Sequence, residues 1–379
     1  MARLKTDWAL FLTILAMTGF GIVMVYSASS ASAKPFYNLE PYHFVVRQIA
    51  FALVSFVVLM YFKRMDYRAL NTPAWAFSGL GIVLGLLVMV YFFGKEHRWF
   101  RVAGIGSFQP SEFAKPALIL FLAYFISRRT QTINHHKTLQ QAMVAVLMLA
   151  MLVVVSDLGT AMIPVITAII MFWVAGLEWR YMRRVLLLGA LLGVIAVCSR
   201  GYRLQRPIAF LDPDYSHIEM IDTHHWIRSY VERSARVRDA SYQPRQSKIA
   251  VGTGGVLGMG LMQSRQKLMF LPEAHTDFIY AIVGEELGLW GSAAVLFGYV
   301  VLLWRGARLF LLARDDFGKY LALGVTVSII LQALINITVV LDMAPTKGFP
   351  LPMISFGGSS LLSTLASLGM LLSVSEHEG

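Results

Sequence analysis

The stretch LPEAHTDFIYAIVGEELG, residues 271–288, places Glu273, His275, Asp277, Glu285 and Glu286 at the head of a strongly apolar run. Carboxylates so placed can take a proton from a hydroxyl as a general base, or help to hold a cation. An ionisable residue in or near a membrane span is costly and marks a functional site by default. Pro272 and Glu273 read as a helix start, since proline fits the first turn and acids suit the N-terminal dipole. Asp277 then falls in the first turns, at the outer mouth of the span. Glu285 lies about 80° round the helix from it and Glu286 about 180° round, so the three cannot share one cavity. Asp277 is the residue placed for chemistry, with a helix-capping acid as the plainer reading. Glu285 and Glu286, about 12–14 Å deeper, brace the bundle by buried pairing, or one of them borders a cavity.

Three other segments carry chemistry-bearing side chains. KEHRWFRVAGIGSFQPSEFAK (95–115) holds Lys95, Arg98, Arg101 and Lys115 in a short external connection. That cluster is either interfacial anchoring by Arg and Trp or an anion site at the outer surface. Within it, Glu112 and Lys115 stand at i,i+3, a spacing that allows an ion pair, structural or holding Lys115 ready for an anion. Pro116 cannot donate to the Glu112 carbonyl. PTKGFPLPMISFGGSS (345–360) has three prolines and a Gly-Gly pair around Lys347. Broken backbone of this sort survives at membrane depth only inside protein or along a cavity. GTGGVLGMG (252–260) superficially matches a phosphate-binding loop but lacks the strand–turn–helix setting; its glycines suit tight turns and close backbone approach. No His/Cys metal cluster is present, and the single cysteine, Cys198, excludes an intramolecular disulfide.

The elements that must position these residues are helices in a membrane. The 379 residues are 57% hydrophobic and only 15% charged, well outside the usual soluble range. Ten apolar runs, at about 8–29, 44–62, 74–93, 111–127, 139–156, 158–175, 184–199, 276–304, 318–341 and 353–374, read as transmembrane helices of one polytopic domain, 1–379. With the N-terminus inside, the cytoplasmic segments hold fifteen Lys/Arg against seven in the short external ones. Both termini are therefore expected in the cytoplasm, with a large extracytoplasmic loop, 200–272, between helices seven and eight. The first run reads as a retained span rather than a signal peptide. Much of the net charge of +11 is explained by cytoplasmic loops, with no call for nucleic acid. Within the large loop, 214–240 has apolar residues at helical spacing among charges, an amphipathic helix pattern.

Taken together, RWFRVAGIGSFQPSEFAK, FLDP (210–213), YQPRQSKIAVGTGG (242–255), LPEAHTDFIYAIVGEELG and PTKGFPLPMISFGGSS resemble the SEDS proteins (shape, elongation, division and sporulation). The resemblance runs from GIVMVYSASS (21–30) to the last span, and MVYSASS, QSRQKLMFLPEAHTDF and PTKG lean to the division branch over the elongation branch. One departure is the 28-residue interval 214–241, longer than either branch leads one to expect. The resemblance implies an inverting glycosyltransferase that polymerises lipid II outside the bacterial inner membrane, at the division septum. It implies a class B penicillin-binding protein (an FtsI-like transpeptidase) and other divisome membrane proteins as partners. Carried over, the family's essential acid falls on Asp277, its Glu–Lys pair on Glu112 and Lys115, and its external Arg-Trp element on Arg98 and Trp99. Arg98, Arg101, Lys115, Lys248 and Lys347 are expected to meet substrate diphosphate, with His275 beside them. A divalent cation (Mg or Mn) could share that work, although Asp277 alone makes a poor cage for it. The rival readings are an elongation-type polymerase, a lipid II flippase, for which Glu285 and Glu286 speak, and a scaffold for division partners.

Overall fold

The structure, a computed structural model, describes residues 6–30, 40–95, 97–102, 106–212, 241–268 and 270–377. Among them twelve α-helices form: α1 (Trp8–Ser30), α2 (His43–Arg64), α3 (Pro73–Phe93), α4 (Pro110–Ser127), α5 (His136–Ser156), α6 (Leu158–Val174), α7 (Trp179–Cys198), α8 (Gly201–Leu211), α9 (Tyr242–Gly254), α10 (Ile279–Leu312), α11 (Asp316–Val340) and α12 (Gly358–His377). A helix stands at each of the ten expected spans. Eight of these are long and apolar enough to cross a membrane; α6 is apolar but shorter, and α4 opens on the charged pair Glu112 and Lys115. The amphipathic segment 214–240 and almost all of the 214–241 interval lie outside the described residues.

Sequence accounts for most boundaries. Thr72 caps α3 ahead of Pro73, its hydroxyl accepting from the Trp75 amide. Asp315 caps α11 through the Gly318 amide. Helix α7 starts at Trp179 rather than 184, because Arg180, Arg183 and Arg184 are good helix formers and do not end a helix. Helix α12 starts at Gly358, later than 353: Pro345, Pro350 and Pro352 leave 344–357 without a helical ladder. The connection after α3 adds an element not read in the sequence. Strands β1 (Phe100–Val102) and β2 (Gly106–Phe108) pair antiparallel, Phe100 opposite Phe108 and Arg101 opposite Ser107.

The packing core is α12, buried over most of its length and lying along α2, with α4, α10 and α11 around it. Its buried face carries Ser359, Ser360, Ser363, Thr364 and Ser367, small residues that let helices approach closely. Helix α1 seals one side with Leu10, Ile14, Met17, Gly21, Met24 and Ala28, a stripe of i+3 and i+4 steps. Among the described residues, little else covers helix α7.

Two expectations about α10 change. The helix starts at Ile279, not at Pro272: residues 271–278 form a turn in which Glu273 has φ 56°, incompatible with a helix start there. Asp277 therefore sits in the turn before the helix. Secondly, α10 is broken at Gly288 (φ 63°). Gly288 and Gly258 pack backbone to backbone, where a Cβ on either would collide. The short upper segment of α10 is thereby split from the part below, which at about 1.5 Å per residue still exceeds ~30 Å. The segment 254–267 wraps this upper piece, Met259 and Gly260 donating to the carbonyls of Glu285 and Glu286. Glu285 accepts from the Ser264 hydroxyl and from the amides of Arg265 (2.9 Å) and Gln266. Glu286 accepts from Ser27, from the Met262 amide at 3.0 Å and from Lys267 Nζ at 2.7 Å. Both acids are buried and bonded to their own loop, which explains how a lipid-embedded element tolerates them. Among the glycines of 252–260, Gly254 and Gly258 serve close backbone approach to 284–288, and Gly255, Gly258 and Gly260 supply the positive φ of turns.

Candidate functional site

Asp277 is carried by a turn that two side chains and one backbone amide pin in place. Asn336 of α11 donates through Nδ2 to the Asp277 carbonyl at 2.7 Å and also to the Phe349 carbonyl. Ser355 donates to the Thr276 carbonyl, and the Phe356 amide to the His275 carbonyl at 3.0 Å. The turn 271–278 and the proline-rich strap 344–357 are thus one unit. Gly348 lies directly against the Asp277 carboxylate, where a Cβ would overlap Oδ2. The next residue back, Lys347, leads into a second cluster.

Asp157, between α5 and α6, is the centre of that cluster and is almost fully buried, 3% exposed. Its Oδ1 pairs with Lys347 Nζ and its Oδ2 with Arg98 at 2.9 Å, while Oδ1 also caps the Gly159 amide at 2.9 Å. Burial opposes its ionisation, but Lys347 and Arg98 outweigh that and hold the carboxyl below the ordinary value. Arg98 stacks over Trp99, 5.4 Å from the ring, and its backbone neighbour His97 accepts from Ser156 at 2.7 Å, tying the connection to α5. The Arg98 Nε is buried with no hydrogen-bond partner among the described residues. Two cations to one carboxylate leave this cluster positive beside Asp277. Burial, followed by the Glu273 carboxylate, pushes Asp277 up to about 7, against the pull of Arg98 and Lys347. A carboxyl partly reached by solvent and poised near neutrality is suited to general-base work. Sequence reading did not pick out Asp157; its one visible signal was an acid directly before a helix, which reads as an ordinary cap.

The other expected site residues fall in different places. Glu112 and Lys115 are paired at 2.8 Å and buried in the bundle, 4% and 6% exposed. Lys115 also donates to Gln332 Oε1 at 2.6 Å, and Gln332 Nε2 donates to the Pro350 carbonyl at 2.7 Å. The pair therefore acts on the strap that carries Lys347 and Gly348. His275 is buried between Phe44 and Phe356, with ring centroids 4.6 and 5.6 Å away, and burial holds it below its ordinary pKa despite Glu273. Arg101 is exposed on β1. Lys248, on α9, is exposed and paired with Asp342 at 2.7 Å. Among the described residues no group of three or more His, Cys, Asp or Glu could hold a metal ion. With Asp157 committed to two cations, the described residues do not form a divalent-ion cage.

A family model described as "Cell cycle protein", that of FtsW, RodA and SpoVE, matches residues 7–379. The chain belongs to this family. It is 36% identical over 382 residues to a relative from Geobacter sulfurreducens named "Probable peptidoglycan glycosyltransferase FtsW", covering 98% of this chain and 95% of the relative. It is 36% identical over 383 residues to the "Stage V sporulation protein E" of Bacillus subtilis, covering 99% and 98%. Among solved structures it resembles a chain of a peptidoglycan synthase complex, described as coordinating polymerization and crosslinking, with TM-score 0.75, 26% identity and 99% of each chain covered. The rod shape determining protein RodA of Thermus thermophilus shares the fold, with TM-score 0.68, 24% identity and 98% and 97% covered. These relatives extend the FtsW/RodA/SpoVE fold along the whole chain, α1 to α12.

Proposed function

We propose that this protein is a peptidoglycan glycosyltransferase of the division type, polymerising lipid II at the outer face of the bacterial inner membrane. The observation that carries it is Asp277, held near pH 7 on a pinned turn beside the positive Arg98–Asp157–Lys347 cluster. In this reading Asp277 takes the proton of an acceptor sugar hydroxyl. The hydroxyl oxygen attacks the anomeric carbon of the donor, the bond from that carbon to the lipid diphosphate breaks, and inversion results. Arg98 and Lys347 stabilise the charge that builds on the departing diphosphate, as preorganised charges do. Arg101 and Trp99 border that path, and Glu112 and Lys115 position the strap through Gln332. The chain crosses the membrane ten times with both termini in the cytoplasm and 200–272 outside. A class B penicillin-binding protein, the FtsI-like transpeptidase, works beside it at the septum.

A flippase would use charged groups near the midplane. Glu285 and Glu286 supply none for that purpose, because their own loop satisfies them. The test is polymerisation of labelled lipid II by the detergent-solubilised protein with its penicillin-binding partner, where translocation gives no signal. Glycan should form, and Asp277→Asn should lower the rate by about 10²–10⁴-fold. Undiminished polymerisation by a folded Asp277→Asn variant would remove Asp277 from the role. Lipid II movement across vesicles by that variant, with no polymer from the intact complex, would establish the flippase instead.

A further inference from the structure

A second cationic site adjoins the strap at Thr346. A cavity of about 380 Å³ opens between the end of α8, the start of α9 and residues 342–346. Arg206, Arg245 and Lys248 line it against one carboxylate, Asp342, with Ala209, Phe210 and Pro244 as apolar wall. Asp342 is paired to Lys248 at 2.7 Å, which leaves the two guanidinium groups as the excess charge. Arg206 is half-buried and fixed to the wall by one of its donors, Nη1 to the Thr346 carbonyl at 3.3 Å. Ser241 and Pro244, at the N-terminal end of α9, add the positive end of that helix. Planar guanidinium forks beside apolar surface are the recognition chemistry of phosphate groups attached to a larger molecule.

The strap relates this cavity to the reacting centre. Thr346 forms part of its wall, Lys347 pairs with Asp157 and Gly348 abuts the Asp277 carboxylate. Two steps of chain span at most about 7 Å. A polymerase joining two lipid-linked disaccharides must hold two diphosphates. The donor's departs from the very carbon attacked, beside Asp277, and falls to Arg98 and Lys347. The acceptor's is separated from its reacting hydroxyl by its own sugars, so it needs cations near the base yet outside its cluster.

We propose that the cavity lined by Arg206, Arg245 and Lys248 binds the diphosphate of the acceptor lipid. This rests on the reading of the chain as a lipid-linked sugar polymerase. The experiment compares the intact full-length chain with Arg206→Gln/Arg245→Gln, each with its penicillin-binding partner, in steady-state polymerisation. Loss of charge-assisted hydrogen bonds should raise KM for lipid II about tenfold or more, with kcat falling less than about threefold. In parallel, equilibrium binding of lipid II to Asp277→Asn protein should saturate at two molecules per chain, and at one when both arginine substitutions are added. Inorganic diphosphate separates the sources: stabilisation of the intact chain by it that the double variant loses, with lipid II stoichiometry and KM unchanged, makes this a free-anion site and overturns the proposal. If the double variant fails to fold, Arg245→Gln alone, at an exposed side chain, should still raise KM. An unchanged KM and stoichiometry in a folded variant of an active polymerase refutes the inference alone. No polymer from the intact chain refutes the underlying reading.

Discussion

Asp277→Asn should stabilise the fold while removing activity, and the gain should follow pH in a set way. Burial and Glu273 raise the carboxyl from the ordinary 3.8 to about 7. Its folded pKa thus lies above its unfolded one, so between those values the folded state holds more protons. Stability is full below about pH 4, falls as pH rises towards 7 and levels off above. A shift of about three units sets a ceiling of roughly 4 kcal/mol, and solvent access to the half-buried carboxylate reduces this to about 2 kcal/mol. Asparagine, which does not ionise, escapes the whole of that loss. At pH 5 only about a third of the gap should be present. Thermal unfolding of both proteins in detergent micelles between pH 4 and 8 measures it. The difference in Tm should be small at pH 4, grow through pH 6 and stay constant beyond about pH 8. A difference independent of pH, or a variant less stable than the parent at pH 8, would refute burial as the cause of the raised carboxyl.

Gly348→Ala should leave helix content intact but lower the polymerisation rate at least about tenfold, because the new Cβ meets the Asp277 carboxylate and moves it from its near-attack position; parental kinetics from the alanine variant would show that the carboxylate is not confined by the strap. Lys115→Met should cost about 3–5 kcal/mol by stranding a buried carboxylate, and more than the double variant Glu112→Gln/Lys115→Met; simply additive losses in a double-mutant cycle would deny the coupling of the pair seen at 2.8 Å.

How far the sequence could be read depended on the range of the contacts. Helices α1 to α7 and α10 to α12 were legible from apolar runs, and the Glu112–Lys115 pair from its i,i+3 spacing, because both signals lie within a few residues. Asp277 stood out as a candidate from the cost of a carboxylate at a span's head, but its turn did not, since residues 271–278 are shaped by docking against the strap. Asp157 was illegible for the same reason: its partners Arg98 and Lys347 belong to two other connections, and only the fold brings them to one carboxylate. Lys115 and Arg98 look equivalent as external cations in sequence, yet one is sealed in the bundle and the other borders solvent. The hairpin after α3 gave no periodic signal, being only three residues per strand.

The break at Gly288 also bears on how the chain enters the bilayer during synthesis. Glu285 and Glu286 stand in the upper piece of α10, and acids offered to the membrane interior are penalised by about 2.5–3.5 kcal/mol each. Their compensating donors, residues 262–267, precede them in the chain and so emerge from the ribosome first. The wrapped loop and the upper piece can therefore fold together with the two acids already bonded. Only the apolar stretch below Gly288 then needs to partition as a conventional span, and Ser27 of α1, already inserted, offers the docking point for Glu286. Assembly order is in this way written into the position of one glycine.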